Sequence, residues 1–258
     1  MAPVTTLVLA GSRGAEDPVA KLAGVSHKAF APVAGVPMLV RVVRALLATP
    51  DVGTIAVAIE RPELVREDAE LSPLLDSGRL VLLPAEGSPS RSVVAALKAL
   101  GTPLLVTTAD HALLRPEWVS HFLANLPDDA DVVAALARDS AVQAAVPGTQ
   151  RTYLRFADGR FSGCNLFAFR TPAAMRAAEV WRQVEAQRKH PLRMIRLLGP
   201  WAVFRFLIGQ LSLGAALARL GAITGTQAAV VEMPFGAAAV DVDKTADLEL
   251  AERLLAGR

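Results

Sequence analysis

The sequence predicts an α/β fold, a mainly parallel sheet flanked by helices. Three observations predict it. Short apolar, β-branched runs recur along the first half of the chain, each the length of a buried strand. Between them lie longer segments with apolar residues at helical spacing. The alternation of the two demands crossover connections, and crossovers give parallel strands.

The elements follow in order. Thr5–Ala10 reads as a buried strand ending at Gly11, and Gly11–His27 reads as a loop rich in glycine and proline. After Pro37, MLVRVVRALLAT has an apolar helical face, with Arg41 and Arg44 three apart on the outer side. Thr54–Ile59, Arg79–Leu83, Pro103–Thr108 and Asp131–Leu136 are further strands, and Ser90–Leu100 is a helix with Ser90 as its N-cap. In the second half, Arg151–Phe156 and Cys164–Phe169 read as strands about an Asp158-Gly159 turn. Helices are expected across a 172–225 insertion within a single 1–258 domain. Ala228–Glu232 is a last strand and Thr245–Ala256 a terminal helix.

Composition narrows the function classes. With 52% hydrophobic and 20% charged residues over 258 positions, the chain can bury a large core. A formal charge of +2, no run of like charges and only 5% aromatic residues argue against a nucleic-acid surface. The single cysteine, Cys164, excludes an internal disulfide and suits a reducing compartment. The apolar stretch near the N-terminus is short and lacks a basic flank, and Arg205, Gln210 and Arg219 interrupt the apolar region from 197 to 223. The expected setting is the cytoplasm, with no membrane span.

In parallel sheets, ligands gather beyond the carboxyl ends of the strands. Two segments stand there. In LAGSRG, Leu9–Gly14, Gly11 lets backbone approach an anion, successive N–H groups can cradle a phosphate, and Arg13 adds a donor fork. Asp110, after LLVTTA, puts a hard oxygen ligand suited to Mg²⁺ at the mouth of the sheet, with helix N-capping as its alternative role. Lys28 offers an ammonium that would offset charge on a leaving pyrophosphate, and a surface lysine is the plainer reading. Asp241 and Asp243, two apart on an extended stretch, would share a face, and Thr245 with the acids after it also makes an ordinary helix start.

These segments, in this order, resemble the MobA-like NTP transferases, a group that includes molybdopterin guanylyltransferases, methylerythritol-phosphate cytidylyltransferases and related sugar-phosphate nucleotidyltransferases. LAGSRG, Lys28 before PVAGVPML, TTADHALL and VDVDKTADLELAE carry the resemblance, which covers roughly 4–170 and 228–255. It implies a Rossmann-like sheet of the glycosyltransferase-A type. It implies that Ala10, Gly11, Ser12, Arg13 and Lys28 contact the nucleotide phosphates, that Asp110 binds Mg²⁺, and that Asp243 is the second ligand with Asp241 as the substitute. EGSPSRSVVAALKAL resembles a cytidylyltransferase stretch in which a serine sits beside the base, so Ser92 is the base-contacting candidate and CTP is favoured over GTP. Gly163 and Asn165 match a family strand that binds the acceptor. The sequence departs from the family in Gly11-Ser12, where a Gly-Gly pair is common, and in Ala246, where a proline is usual.

The implied activity is transfer of an NMP group from an NTP to a phosphorylated small molecule with release of pyrophosphate. A nucleotide-sugar-dependent glycosyltransferase and a catalytically silent nucleotide-binding module stay open beside it. The segment 188–220 sets Arg188, Lys189, His190, Arg193, Arg196 and Arg205 among large apolar residues. It reads either as an interfacial surface for anionic lipid or an acceptor pocket, or as a packing insertion or homodimer face whose basic side chains snorkel outward.

Overall fold

A computed structural model describes residues 3–12, 16–187 and 199–257. Arg13 lies outside the described residues, as do Arg188, Lys189, His190, Arg193 and Arg196. The strands are β1 (Val4–Leu9), the short ribbon β2 (Pro32–Val33) and β3 (Val36–Pro37), β4 (Val52–Ile59), β5 (Leu80–Pro84), β6 (Leu104–Thr108), β7 (Val132–Arg138), β8 (Leu154–Phe156), β9 (Gly159–Phe169) and β10 (Ala228–Glu232). Eight of them form one sheet in the order β10-β7-β9-β6-β1-β4-β5, with β8 paired to β9 alone. The β5-β4-β1-β6 half is parallel, and β10 is parallel to β7. β9 runs antiparallel to both β6 and β7 and so joins the two parallel blocks. The fold class is the expected one, and the antiparallel strand is the sheet's departure from a uniform direction.

Both faces of the central strands are apolar, as a doubly covered sheet requires. Alternate residues feed two cores. Val8, Ile55, Val57 and Leu105 pack with the helix Met38–Leu47 and with Trp118, Val119 and Phe122 of the helix Pro116–Ala124. Leu7, Ala56, Ala58, Leu104 and Val106 pack with Val93 and Leu97 of the helix Pro89–Leu100 and with Ala174 and Ala178 of the helix Ala174–Gln187. Between β9 and β10 the described chain is helical, through Ala174–Gln187, Pro200–Leu207 and Leu213–Thr224.

Several expectations are corrected. The 11–27 segment is not all loop: Pro18–Ala23 is a helix, capped by the Asp17 carboxylate, which accepts the Val19 and Ala20 N–H groups, and closed by Gly24 at φ 66°. The helix Pro89–Leu100 is capped by Ser88, whose hydroxyl accepts from the Arg91 N–H, because Pro89 takes the first helical position. Ser90 is therefore inside that helix. Arg151–Tyr153 is not strand, β9 starts at Gly159, and the turn is Ala157-Asp158.

Cys164 is fully buried on β9, and burial pushes its thiol up to about 12. A thiolate is the reactive species, so the folded protein is expected to resist a disulfide reagent over minutes and to react at once after unfolding. Rapid labelling of the native chain, read as released chromophore, would contradict this burial.

Candidate active site

The carboxyl ends of β1, β4 and β6 meet at one edge of the sheet, and the site is built there. β1 pairs with β4 on one side and β6 on the other, so the residues leaving the three strands are neighbours. The Ala10 N–H continues the ladder to the Ala58 carbonyl, and the Ala109 N–H bonds Leu9 O. That spends the Ala10 donor on the sheet and leaves Gly11 and Ser12 as the rim. The Cβ position of Gly11 faces open space, with nothing within 4 Å. The Ser12 N–H donates to Glu60 Oε1 at 2.7 Å.

Glu60, the residue after β4, was not among the sequence candidates. Its second oxygen lies 3.2 Å from Nε2 of His27, whose ring is buried. His27 in turn caps the short 3-10 turn Lys28–Phe30 through Nδ1, which accepts the Ala29 N–H. One carboxylate thus ties the glycine loop to the turn that carries Lys28. Glu60 after TIAVAI stands, like Asp110, directly after a buried strand, and that position is its signal in the sequence.

Lys28 Nζ sits 2.9 Å from Asp110 Oδ2 and 2.8 Å from Asp243 Oδ1. The structure therefore brings Lys28, Asp110 and Asp243 together from positions far apart in sequence. A backbone bond sets the juxtaposition: the Val242 N–H donates to the Asp110 carbonyl at 3.0 Å, docking the 240–243 segment beside the end of β6. Burial disfavours charge on Lys28, but attraction and hydrogen bonds from Asp110 and Asp243 outweigh it, and its pKa is raised. The two carboxylates therefore favour the charged form of Lys28.

Asp110 caps no helix, since the following helix starts at Pro116 with Arg115 as its N-cap. Its other oxygen, Oδ1, is buried without a hydrogen-bond partner. A buried, unpartnered carboxylate oxygen is a costly arrangement that a cation would relieve. With the more exposed Asp243 carboxylate beside it, this donor set fits a hard divalent ion that keeps waters and phosphate oxygens in its remaining positions, as Mg²⁺ does. Among the described residues no group of three or more His, Cys, Asp or Glu side chains is arranged to hold a metal, so protein ligands alone would not complete the shell.

Asp241 and Asp243 take different partners. Asp241 accepts from Arg151 Nη1 at 2.7 Å and from Asn165 Nδ2 at 3.2 Å. Burial raises its pKa, repulsion from Asp243 and Asp110 adds to this, and Arg151 and Asn165 oppose it. Arg151 also bonds Asp247, whose other oxygen accepts the backbone N–H groups of Asp243 and Lys244 at the start of the helix Thr245–Ala256. Arg151 had no sequence signal, because its role comes from carboxylates some 90 residues later. Asn165 reaches Asp241 from a residue at φ 48°, within the stretch where the β7–β9 register shifts. A bulge re-aims a side chain in this way. Gly163 is exposed on the same strand, and a Cβ there would meet nothing within 4 Å.

Ser92 lies away from this cluster's bonds. It is buried, and its hydroxyl accepts the Glu86 N–H at 2.9 Å, closing the loop before the helix Pro89–Leu100. His111, next to Asp110, is buried, stacked on Trp118, and pushed down to about 4 by burial, so it is a neutral core side chain.

The family model for the MobA-like NTP transferase domain matches residues 6–207. A solved structure of a hypothetical transferase from Thermus thermophilus is 33% identical, with 96% of this chain and 100% of that one covered and a TM-score of 0.80. CMP:2-keto-3-deoxy-manno-octonic acid synthetase complexed with CTP shares the fold at 17% identity, covering 99% of this chain and 98% of its own, with a TM-score of 0.55. The 4-diphosphocytidyl-2C-methyl-D-erythritol synthase from Anaerococcus prevotii does so at 11%, covering 99% and 96%, with a TM-score of 0.60. No curated protein matches the sequence. The motifs, the sheet and the family match agree: the chain belongs to the MobA-like NTP transferases, a family of nucleotidyl transfer.

Proposed function

We propose that this protein transfers the NMP part of an NTP, CTP in preference to GTP, to a phosphorylated small molecule. One observation carries the reading: an ammonium and two carboxylates from three separate segments converge within hydrogen-bond distance beside a glycine-softened loop. An oxygen of the acceptor phosphate forms the new bond to the α-phosphorus, and the bond from that phosphorus to pyrophosphate breaks. No covalent enzyme intermediate is needed, and catalysis is positioning with charge neutralisation. Asp110 and Asp243 would hold Mg²⁺, which when bound supplies charge neutralisation at the phosphates. Lys28, whose charged form the neighbouring carboxylates favour, offsets charge on the leaving pyrophosphate, with Arg13 as the second cation. Gly11 and Ser12 offer N–H groups to the phosphates. The Ser12 donor, held by Glu60, exchanges one anionic acceptor for another on binding.

CTP is favoured by the likeness of the stretch around Ser92 to cytidylyltransferases. The Ser92 oxygen accepts from the loop, and its hydroxyl proton remains to donate to a base carbonyl. For the acceptor, Gly163 leaves open surface next to Asn165, and a polar cleft lined by Gln143, Arg151, Tyr153 and Arg160 adjoins the Arg151–Asp241 pair. Asp139 also lines that cleft, and both guanidinium groups are ion-paired there, Arg160 with Asp139 and Arg151 with Asp241 and Asp247, so an anionic acceptor would exchange with those carboxylates.

Pyrophosphate release, screened with the four NTPs against sugar, polyol and alcohol phosphates, is the test. The expected result is release that needs both substrates, is fastest with CTP and stops on chelation of divalent metal. Release that is insensitive to chelator would remove Mg²⁺ from the proposal. Absence of release with every pair would remove the transferase reading.

A further inference from the structure

We infer that the helix Pro200–Leu207 and the turn after it form a docking surface for an anionic lipid bilayer. Trp201, Phe204, Leu207 and Ile208 are 69%, 50%, 75% and 46% exposed. Single exposed apolar side chains are ordinary, but four within two helical turns form a patch. Their spacing puts Trp201, Phe204 and Ile208 on one helical face, with Leu207 beside it. Trp201 and Phe204 stack, with ring centroids 5.7 Å apart.

The patch is held as a platform. On the opposite side Phe206 meets Phe156 of β8 at 5.7 Å between ring centroids. The Ala157 N–H donates to Leu211 O at 2.9 Å, and the Leu213 N–H donates to the Asp158 carboxylate at 2.9 Å. The helix is therefore packed on the β8–β9 hairpin through one face while its other apolar face points outward.

Charge selects the occupant. Between Glu185 and Glu232 the sequence contains no Asp or Glu, yet it contains Arg188, Lys189, Arg193, Arg196, Arg205 and Arg219. Six positive charges in this stretch exceed the +2 of the whole chain, so the remainder is net negative. A stretch of this composition, contiguous in sequence with the helix that carries Arg205, favours an anionic surface. Aromatic and aliphatic side chains beside basic ones are what an in-plane interfacial helix requires. None of the described helices is long and apolar enough to cross a membrane, which agrees with contact in the plane of the interface. A second copy is a poorer occupant, because it carries the same excess of positive charge in its own sequence from 186 to 231.

The test is flotation of the full chain with vesicles of phosphatidylcholine alone or with about one third phosphatidylglycerol, at low and high salt. The expected result is binding to the anionic vesicles only, weakened by salt. The double substitution Trp201→Ser, Leu207→Ser removes two mostly exposed side chains and should cut binding about tenfold or more at unchanged melting temperature. Wild-type protein that stays in the soluble fraction overturns the proposal, as does a double variant that floats like wild type. A wild-type dimer that the variant makes monomeric, without vesicle binding, assigns the patch to a second copy instead. None of these readouts depends on the transferase reaction.

Discussion

Replacing Asp110 by Asn is expected to lower the rate of pyrophosphate release about a thousandfold while leaving the protein folded. The substitution keeps the side chain's shape and removes its charge. It withdraws the anionic partner of Lys28 at 2.9 Å and converts the buried, unpartnered oxygen into part of a neutral amide. The backbone bond from Val242 to the Asp110 carbonyl is untouched, so the 240–243 segment stays docked. Asp243→Asn is expected to cost less, about tenfold, because that carboxylate is 66% exposed and water can substitute for much of its interaction. The measurements are steady-state rates at saturating NTP with thermal melts of the same samples. An Asp110→Asn enzyme that keeps more than about a tenth of the wild-type rate would remove that carboxylate from the chemistry.

Replacing Arg151 by Met is expected to produce the largest loss of stability. The guanidinium is 7% exposed and bridges Asp241 and Asp247, the latter 6% exposed. Its removal strands two carboxylates in a poorly solvated place, a change that typically costs about 3–5 kcal/mol. For a chain of this size that is a fall in Tm of about 10 °C. The loss should depend on pH in a defined sense. Burial, then Asp243 and Asp110, already raise the Asp241 pKa, and Arg151 is among the groups that hold it down. A carboxyl whose folded pKa lies above its unfolded value destabilises the fold at all pH above the folded value, and the penalty disappears as pH falls below the unfolded one. The deficit of the variant should therefore be widest near neutrality and narrower at about pH 5. Equal deficits at both values, or a shift of only about 2 °C, would show that the pair does not bear this charge. Asp247 also accepts the Asp243 and Lys244 N–H groups, so the variant should lose activity as well, through a loosened Asp243.

The alternation of strand and helix was legible because it is written locally. Both faces of β4 and β6 are covered, so TIAVAI and LLVTT are continuous apolar runs that need no knowledge of their partners. The helix Thr245–Ala256 has the expected bounds because its start depends on residues three or four apart. The N-cap of the helix Pro89–Leu100 was misplaced by two residues, since Pro89 fits the first helical turn better than Ser90 fits the cap. The antiparallel placement of β9 between β6 and β7 was not legible, because its apolar pattern serves either direction.

The candidate site divides in the same way. Asp110 and the Gly11–Ser12 loop could be found because a polar or glycine residue ends an apolar run at the edge where parallel strands release their ligand-binding loops. Glu60 carries the same signal at the end of the 54–60 stretch. By itself the sequence determined the buried strands of the parallel half, the start of the terminal helix, candidate residues for phosphate and metal chemistry, and a strongly basic stretch without acids. The tertiary structure decided which of them meet: Lys28 with Asp110 and Asp243, Ser12 with Glu60, Arg151 with Asp241 and Asp247. The reason is range. Periodicity and capping act over a few residues and leave a mark in the order of amino acids, whereas an ion pair formed across some 215 residues is set only when the strands carrying its partners find their register.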